Sequence, residues 1–278
     1  MSGASQKESE PATYALGHAE QELRRLATQA RLIDPFTRHF LIMAGIGHGM
    51  RVLDVGSGAG DVAMLAANLV GSAGEIVGCD PAAAAVDTAR ARVLAKSLSN
   101  VSFREGDPAD MEFEKPFDAI MGRYVLQFMP DPVVALRKLV RHLRPGGIVV
   151  FHELDWDGAR SSPPVPTYDR CCRWVAQTLE QSGAETHMAV KLHSVFVAAE
   201  LPPPTMQLRA VIGAGAGRLE AVRLVTDLFE TLLPAMQRLG IVTAIEVDLP
   251  TLVDRIMKES QSGNAIVGRA EVGAWTRL

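Results

Sequence analysis

Cysteine is scarce in this sequence: Cys79, Cys171 and Cys172 are the only three among 278 residues. They are too few and too unevenly spaced for a disulfide framework or a zinc site. Aromatic residues are thin as well, at 5%, so the interior must be packed with aliphatic and small side chains. No stretch approaches the roughly 18 apolar residues of a membrane span, and the opening MSGASQKESEPAT carries no apolar core of a secretory leader. The expected setting is therefore cytoplasmic and thiol-reducing. Basic charge is not in excess either. Lys and Arg number 28 against 32 Asp and Glu, leaving −4, which speaks against a nucleic-acid partner. What is present is 47% hydrophobic residues with 24 Gly and 16 Pro, the composition of a globular chain with one large domain plus an elaboration.

Apolar residues recur at helical spacing from Glu20 to about Gly45, and Pro35 predicts two helices with a corner between them. Met50 to Val55 then reads as a buried strand closed by the turn Gly56-Ser57-Gly58-Ala59-Gly60. Val62, Leu65, Ala66 and Leu69 mark the helix that follows, and Gly71 ends it. A second strand over Glu75–Cys79 ends at Asp80, with a helix opening at Pro81. Further strands are predicted at Val101–Arg104, Phe117–Met121 and Gly147–Phe151. Asp131 caps a helix before the last of these. Strands alternating with helices imply a parallel sheet covered on both faces. Beyond Asp155 a Pro-rich loop precedes a helical stretch from Tyr168 to about Ala199, Met206–Ile212 looks like a strand, and Leu219–Leu239 is helical. Ala265–Leu278 reads as a final edge strand.

In such a sheet ligands lie outside the carboxyl ends of the strands, where the first glycine turn meets a helix N-terminus. The turn here is Gly-x-Gly-x-Gly, and Asp61 stands where a dinucleotide fingerprint wants its last glycine, which argues mildly against a nicotinamide cofactor. Asp54-x-Gly56-x-Gly58-x-Gly60 after one strand, Asp80 at the end of the next and Gly106-Asp107 after the third together resemble class I S-adenosylmethionine-dependent methyltransferases. The resemblance covers about residues 50–155. Arg123 and the Arg144-Pro145-Gly146-Gly147 turn are similar to the branch of quinone-biosynthesis and small-metabolite enzymes. It implies an α/β fold, a doubly wound, Rossmann-like seven-stranded sheet. Residues 1–48 form an N-terminal helical arm, 49–155 the cofactor-binding core, 156–204 a helical cap and 205–278 the completion of the sheet.

The resemblance also implies S-adenosylmethionine as cofactor, and the residue types suit its parts. The backbone of Gly56, Ser57, Gly58 and Gly60 can approach the methionyl portion, and Asp54 can take its ammonium. Asp80 can accept from both ribose hydroxyls. Asp107 can accept from the adenine amine, with Pro81 and Pro108 packing nearby. Arg123 either holds the methionyl carboxylate or faces the substrate. Tyr14 in the arm can cover the methionyl end, and also reads as a simple anchor. His152, at the end of the fifth strand beside Glu153, is the best-placed general base; a hydrogen-bonded structural histidine is the bland alternative. His187 and His193, six apart on one helix, are unsuited to joint metal binding, and no metal is expected. The expected reaction moves a methyl group to a small hydrophobic metabolite by in-line displacement. A non-methylating protein of the same fold and a nicotinamide-dependent oxidoreductase are the alternatives, and a homodimer is left open.

Overall fold

The computed structural model describes residues 20–260 and 263–278. Its elements in chain order are α1 (Glu20–Ala44), β1 (Arg51–Val55), α2 (Asp61–Val70), β2 (Glu75–Asp80), α3 (Ala83–Ala95), β3 (Val101–Glu105), β4 (Phe117–Arg123), α4 (Pro132–Leu139) and β5 (Leu143–Asp155). There follow β6 (Arg160–Ser162), α5 (Pro166–Gln181), α6 (Met188–Ala198), β7 (Thr205–Arg209), β8 (Ile212–Gly213), α7 (Arg218–Arg238), α8 (Ala244–Val247), α9 (Leu249–Glu259), β9 (Ala265–Val267) and β10 (Ala270–Arg277). The main sheet has seven strands in the order β3-β2-β1-β4-β5-β10-β7. β1 to β5 run parallel, and β10 is antiparallel to both its neighbours. The strand order reverses between β1 and β4, so the crevice expected of a doubly wound sheet opens at their carboxyl ends.

Apolar side chains fall into three buried groups. One, with Val52, Ile76, Val150 and Phe40, seals the sheet against α1, α2 and α3. Another, with Leu53, Ile120, Val149, Phe196 and Leu136, seals the opposite face against α4 and α6. The third, around Trp156, Tyr168, Phe229 and Ile256, joins α5, α7 and α9 beyond the end of β5. Residues 156–204 thus contribute to two layers: α5 packs with α7, whereas α6 lies on β5 and β10.

Several expectations are corrected. Pro35 makes no corner, because α1 continues through it. Ile33 and Phe40, both fully buried, pin the helix on either side of the proline and outweigh its lost hydrogen bond. The last strand is not an edge. β10 inserts between β5 and β7, with Gly273 opposite His152 on one side and Gln207 on the other. A Cβ on Gly273 would lie 2.3 Å from Phe40 Cγ, so glycine there admits the α1 aromatic against the sheet. The stretch from Tyr168 to Ala199 is two helices, broken where Gly183 takes a left-handed φ of 88°. The strands expected over Met206–Ile212 and Ala265–Leu278 each divide: β7 and β10 join the main sheet, while β8 and β9 form a small sheet with β6 in the order β6-β9-β8. Two end signals act as expected: Gly71 ends α2 by donating to Ala67 O, and Asp131 Oδ1 accepts from Val134 N to cap α4.

Candidate functional site

The crevice has two walls. The first is the glycine turn between β1 and α2. Gly56, Gly58 and Gly60 all have left-handed φ, at 60°, 51° and 84°. Two of them are crowded: a Cβ on Gly56 would sit 2.8 Å from Val125 Cγ2, and one on Gly60 2.7 Å from Phe103 Cζ. At Gly58 it would meet nothing within 4 Å. The turn is therefore packed from behind and open at its middle residue, which leaves its backbone free to meet a ligand.

Carboxylates from three successive strand ends surround this turn. Asp80 at the end of β2 accepts from Gly58 N through Oδ2 and from Ala82 N through Oδ1, each at 2.9 Å. It thereby fixes both the turn and the start of α3. Its backbone carbonyl accepts from Gly106 N, which ties in the loop carrying Asp107, and Asp107 Oδ1 accepts from Ala109 N. Pro108 is buried beside it, while Pro81 is exposed. Asp54 is 1% exposed, and burial pushes its carboxyl up from 3.8 to about 8, with the Arg123 guanidinium pulling the other way. Its Oδ2 and the hydroxyl of the neighbouring Ser57 have no hydrogen-bond partner. Buried polar atoms without partners are costly, so a ligand group beside the turn would relieve both. Asp61 is paired with Arg92 at 2.6 Å, and the same arginine donates to Ala59 O.

The second wall is a buried polar array across the ends of β4, β5 and β10. Arg123 Nη1 donates to Asp34 Oδ1 at 2.7 Å and to Thr37 Oγ1 at 3.0 Å, so it is turned toward α1. Thr37 also meets His152 Nδ1 at 3.0 Å. His152 Nε2 lies 2.9 Å from Glu271 Oε2, which accepts from the Tyr124 hydroxyl at 2.6 Å. His152 is 2% exposed with both ring nitrogens engaged, and burial holds its pKa down. Arg269 Nε is 3.1 Å from Glu271 Oε1, its Nη2 donates to Tyr124 Oη, and its guanidinium lies over both the Tyr124 and Trp156 rings. On the other face of the sheet, Glu153 Oε1 accepts from Val125 N and Leu126 N, which fixes the turn after β4. Burial raises Glu153 to about 8.

The structure thus brings Asp54, Gly56, Ser57, Gly58, Gly60, Asp80, Asp107 and Pro108 to one wall, and Arg123 and His152 to the other. Tyr14 lies outside the described residues. Sequence reasoning missed Asp34, Thr37, Arg269 and Glu271 altogether. For Glu271 a signal existed: it is the one acidic residue of a strand whose other positions from Ala270 to Trp275 carry no polar side-chain oxygen. Asp155, Asp157 and His187 approach one another near the end of β5, where the imidazole is 3.2 Å from Asp155 Oδ1 and its pKa is raised by hydrogen bonding to that carboxylate, against the opposing effect of burial. A hollow lined by Ser72, Gly74, Glu75 and Asn100 lies at the amino ends of β2 and β3, the end of the sheet opposite the glycine turn.

The sequence model of a family described as "Methyltransferase domain" matches residues 46–196. The chain is 34% identical over 125 residues to a demethylmenaquinone methyltransferase of Staphylococcus aureus, covering 45% of this chain and 48% of that protein. It is 43% identical over 101 residues to a 2-phytyl-1,4-naphtoquinone methyltransferase of Synechococcus elongatus, covering 35% and 43%. The chain thus spans less than half the length of these curated relatives. Among solved structures, the YcgJ protein of Bacillus subtilis shares the fold with a TM-score of 0.55 at 19% identity, covering 88% of this chain and 99% of that one.

Proposed function

The chain belongs to the methyltransferase domain family, and on that footing we propose that it binds S-adenosylmethionine over the glycine turn and transfers the methyl group to a small, hydrophobic metabolite. The observation that carries this reading is the pair of unpartnered buried atoms, Asp54 Oδ2 and Ser57 Oγ, beside a turn whose middle glycine faces open space. The cofactor, when bound, supplies a methyl group on a positively charged sulfur.

Each residue of the first wall then has a task. Asp54 receives the ammonium of the methionyl part, a charge that would hold its carboxyl ionised in spite of burial. The backbone of Gly56, Ser57, Gly58 and Gly60 at the start of α2 meets the carboxylate. Asp80 already accepts one hydrogen bond at each oxygen, and the remaining lone pairs accept from the ribose hydroxyls. Asp107 takes the adenine amine, with Pro81 and Pro108 beside the ring. Arg123 supports the site through its charge on Asp54 and through its grip on α1. His152 belongs to the acceptor side, where it contacts Glu271.

A small molecule as acceptor in place of nucleic acid is supported by the net charge of −4. Three buried free thiols support a reducing cytoplasm. Among the described residues no helix is long and apolar enough to cross a membrane. Relatives named for demethylmenaquinone and 2-phytyl-1,4-naphtoquinone make a quinone-derived ring the first acceptor to test. Calorimetry with S-adenosylhomocysteine and transfer of labelled methyl to a panel of such rings check the proposal. Heat from NAD with none from S-adenosylhomocysteine would overturn it.

A further inference from the structure

Tyr124 stands between the two walls. It follows Arg123 at the carboxyl end of β4 and precedes Val125, the residue packed against Gly56. Its φ of 58° is unusual for an aromatic residue, and such a conformation persists only where the surroundings hold it. They do so here: Tyr124 N donates to His152 O at 2.9 Å, and the hydroxyl donates to Glu271 Oε2 at 2.6 Å while accepting from Arg269 Nη2 at 3.2 Å. Of the four side chains that meet around Glu271, His152, Arg269 and Glu271 itself are buried, and Tyr124 alone is half-buried.

Glu271 is 0% exposed and is addressed from each element around it. β4 brings Tyr124, β5 brings His152 at 2.9 Å, and the turn before β10 brings Arg269 at 3.1 Å. Glu153, also on β5, lies near enough to interact electrostatically. A tyrosine hydroxyl has one proton and two lone pairs. The proton goes to Glu271 and one lone pair is used by Arg269, so the remaining lone pair can only accept. A ligand group meeting it must carry a proton.

We infer that Tyr124 is the acceptor-facing residue of this site and that Glu271, acting through it, receives the proton that a hydroxyl-bearing acceptor loses on methylation. The inference rests on the methyl-transfer reading above. Its bookkeeping closes. The acceptor O–H bond breaks and its proton passes to Tyr124 Oη, while the tyrosine's own proton passes to Glu271 Oε2. The acceptor atom bonds to the methyl carbon as the carbon–sulfur bond breaks, leaving its electron pair on sulfur and discharging the sulfonium. Arg269 and His152 are positioning residues that hold the Glu271 carboxylate toward the phenol.

The test uses the full chain and Tyr124→Phe. Each is titrated with S-adenosylhomocysteine and then, with that bound, with 1,4-dihydroxynaphthalene or 1,4-dimethoxynaphthalene. Labelled methyl transfer to the diol is followed in parallel, in ordinary and deuterated water. The variant should keep its affinity for S-adenosylhomocysteine, lose about tenfold in affinity for the diol only, and lose about 100-fold in transfer rate together with its solvent isotope effect. The unaltered protein should prefer the diol to the diether by about tenfold, a measurement that stands even if the variant fails to fold. Equal diol affinity and rate in Tyr124→Phe, or no preference for the diol in the unaltered protein, would overturn the inference. Failure of the unaltered protein to bind S-adenosylhomocysteine would instead remove the methyl-transfer reading on which it rests.

Discussion

The glycine-turn wall is tied together over short spans of sequence, and the opposite wall over long ones. Asp107 caps an amide two residues away, and Asp80 reaches back 22 residues to Gly58. Across the crevice, Tyr124 meets Glu271 over 147 residues, His152 meets Thr37 over 115, and Arg123 meets Asp34 over 89. The first wall is a set of separable contacts around a turn that local sequence already shapes. The second is one coupled array of buried and half-buried groups, linked from Asp34 through Thr37, His152 and Glu271 to Tyr124 and Arg269. Removing a member should therefore cost ligand affinity on the first side and the fold itself on the second.

Glu271→Ala puts that contrast under the greatest strain. It leaves the buried Arg269 guanidinium without its carboxylate and should cost about 3–5 kcal/mol in denaturant unfolding. A loss under 1 kcal/mol would mean that the array is not coupled. Asp80→Ala should lower S-adenosylmethionine affinity by about tenfold, equivalent to roughly 1.4 kcal/mol, with cooperative unfolding retained. Calorimetry decides it, and unchanged affinity in a folded variant would remove the ribose-binding role. Gly58→Ala keeps a left-handed φ and fills space that is open, so its stability cost should be only about 1 kcal/mol while ligand affinity falls. Loss of stability without loss of affinity would show that the ligand does not approach there.

Protons at Asp54 test the first wall in a different way. Its folded pKa of about 8 lies above the ordinary 3.8. The folded state then holds more protons than the unfolded one, so this contribution is complete below about pH 3.8 and is lost as pH rises through about 8. Glu153, raised from 4.5 to about 8, acts in the same direction. Asp54→Asn should flatten the fall in ligand-free stability between about pH 4 and pH 8. An ammonium arriving at Asp54 should release about one proton near pH 6 to 7, visible as a binding heat that changes with the buffer's ionisation enthalpy. Binding heats identical in two buffers would leave the ammonium without its partner.

The legible parts of the site are those where residue type and local geometry coincide. Gly56, Gly58 and Gly60 announce positive φ, Asp80 follows a strand and caps a helix, and Gly71 ends one. Each can be read without knowing what lies across the molecule. The positions that local rules misjudge or leave open have the opposite character. Pro35 breaks a helix by local rules, yet buried Ile33 and Phe40 hold α1 through it. His152 looks like a base near a cleft, but Thr37 and Glu271 close over its two nitrogens. Arg123 leaves two roles open on sequence grounds, and its side chain is committed to Asp34 and Thr37.

By itself, then, the sequence determined the order of strands and helices from β1 to β5, the glycine turn and the carboxylates at three strand ends, because these follow from backbone preferences and periodicity over a few residues. Only the tertiary structure decided that β10 enters between β5 and β7 and carries Glu271 to Tyr124 and His152. Strand insertion is settled by which faces pack, such as Phe40 over Gly273. The pairing of buried charges follows from that packing, since each must find a partner once water is excluded.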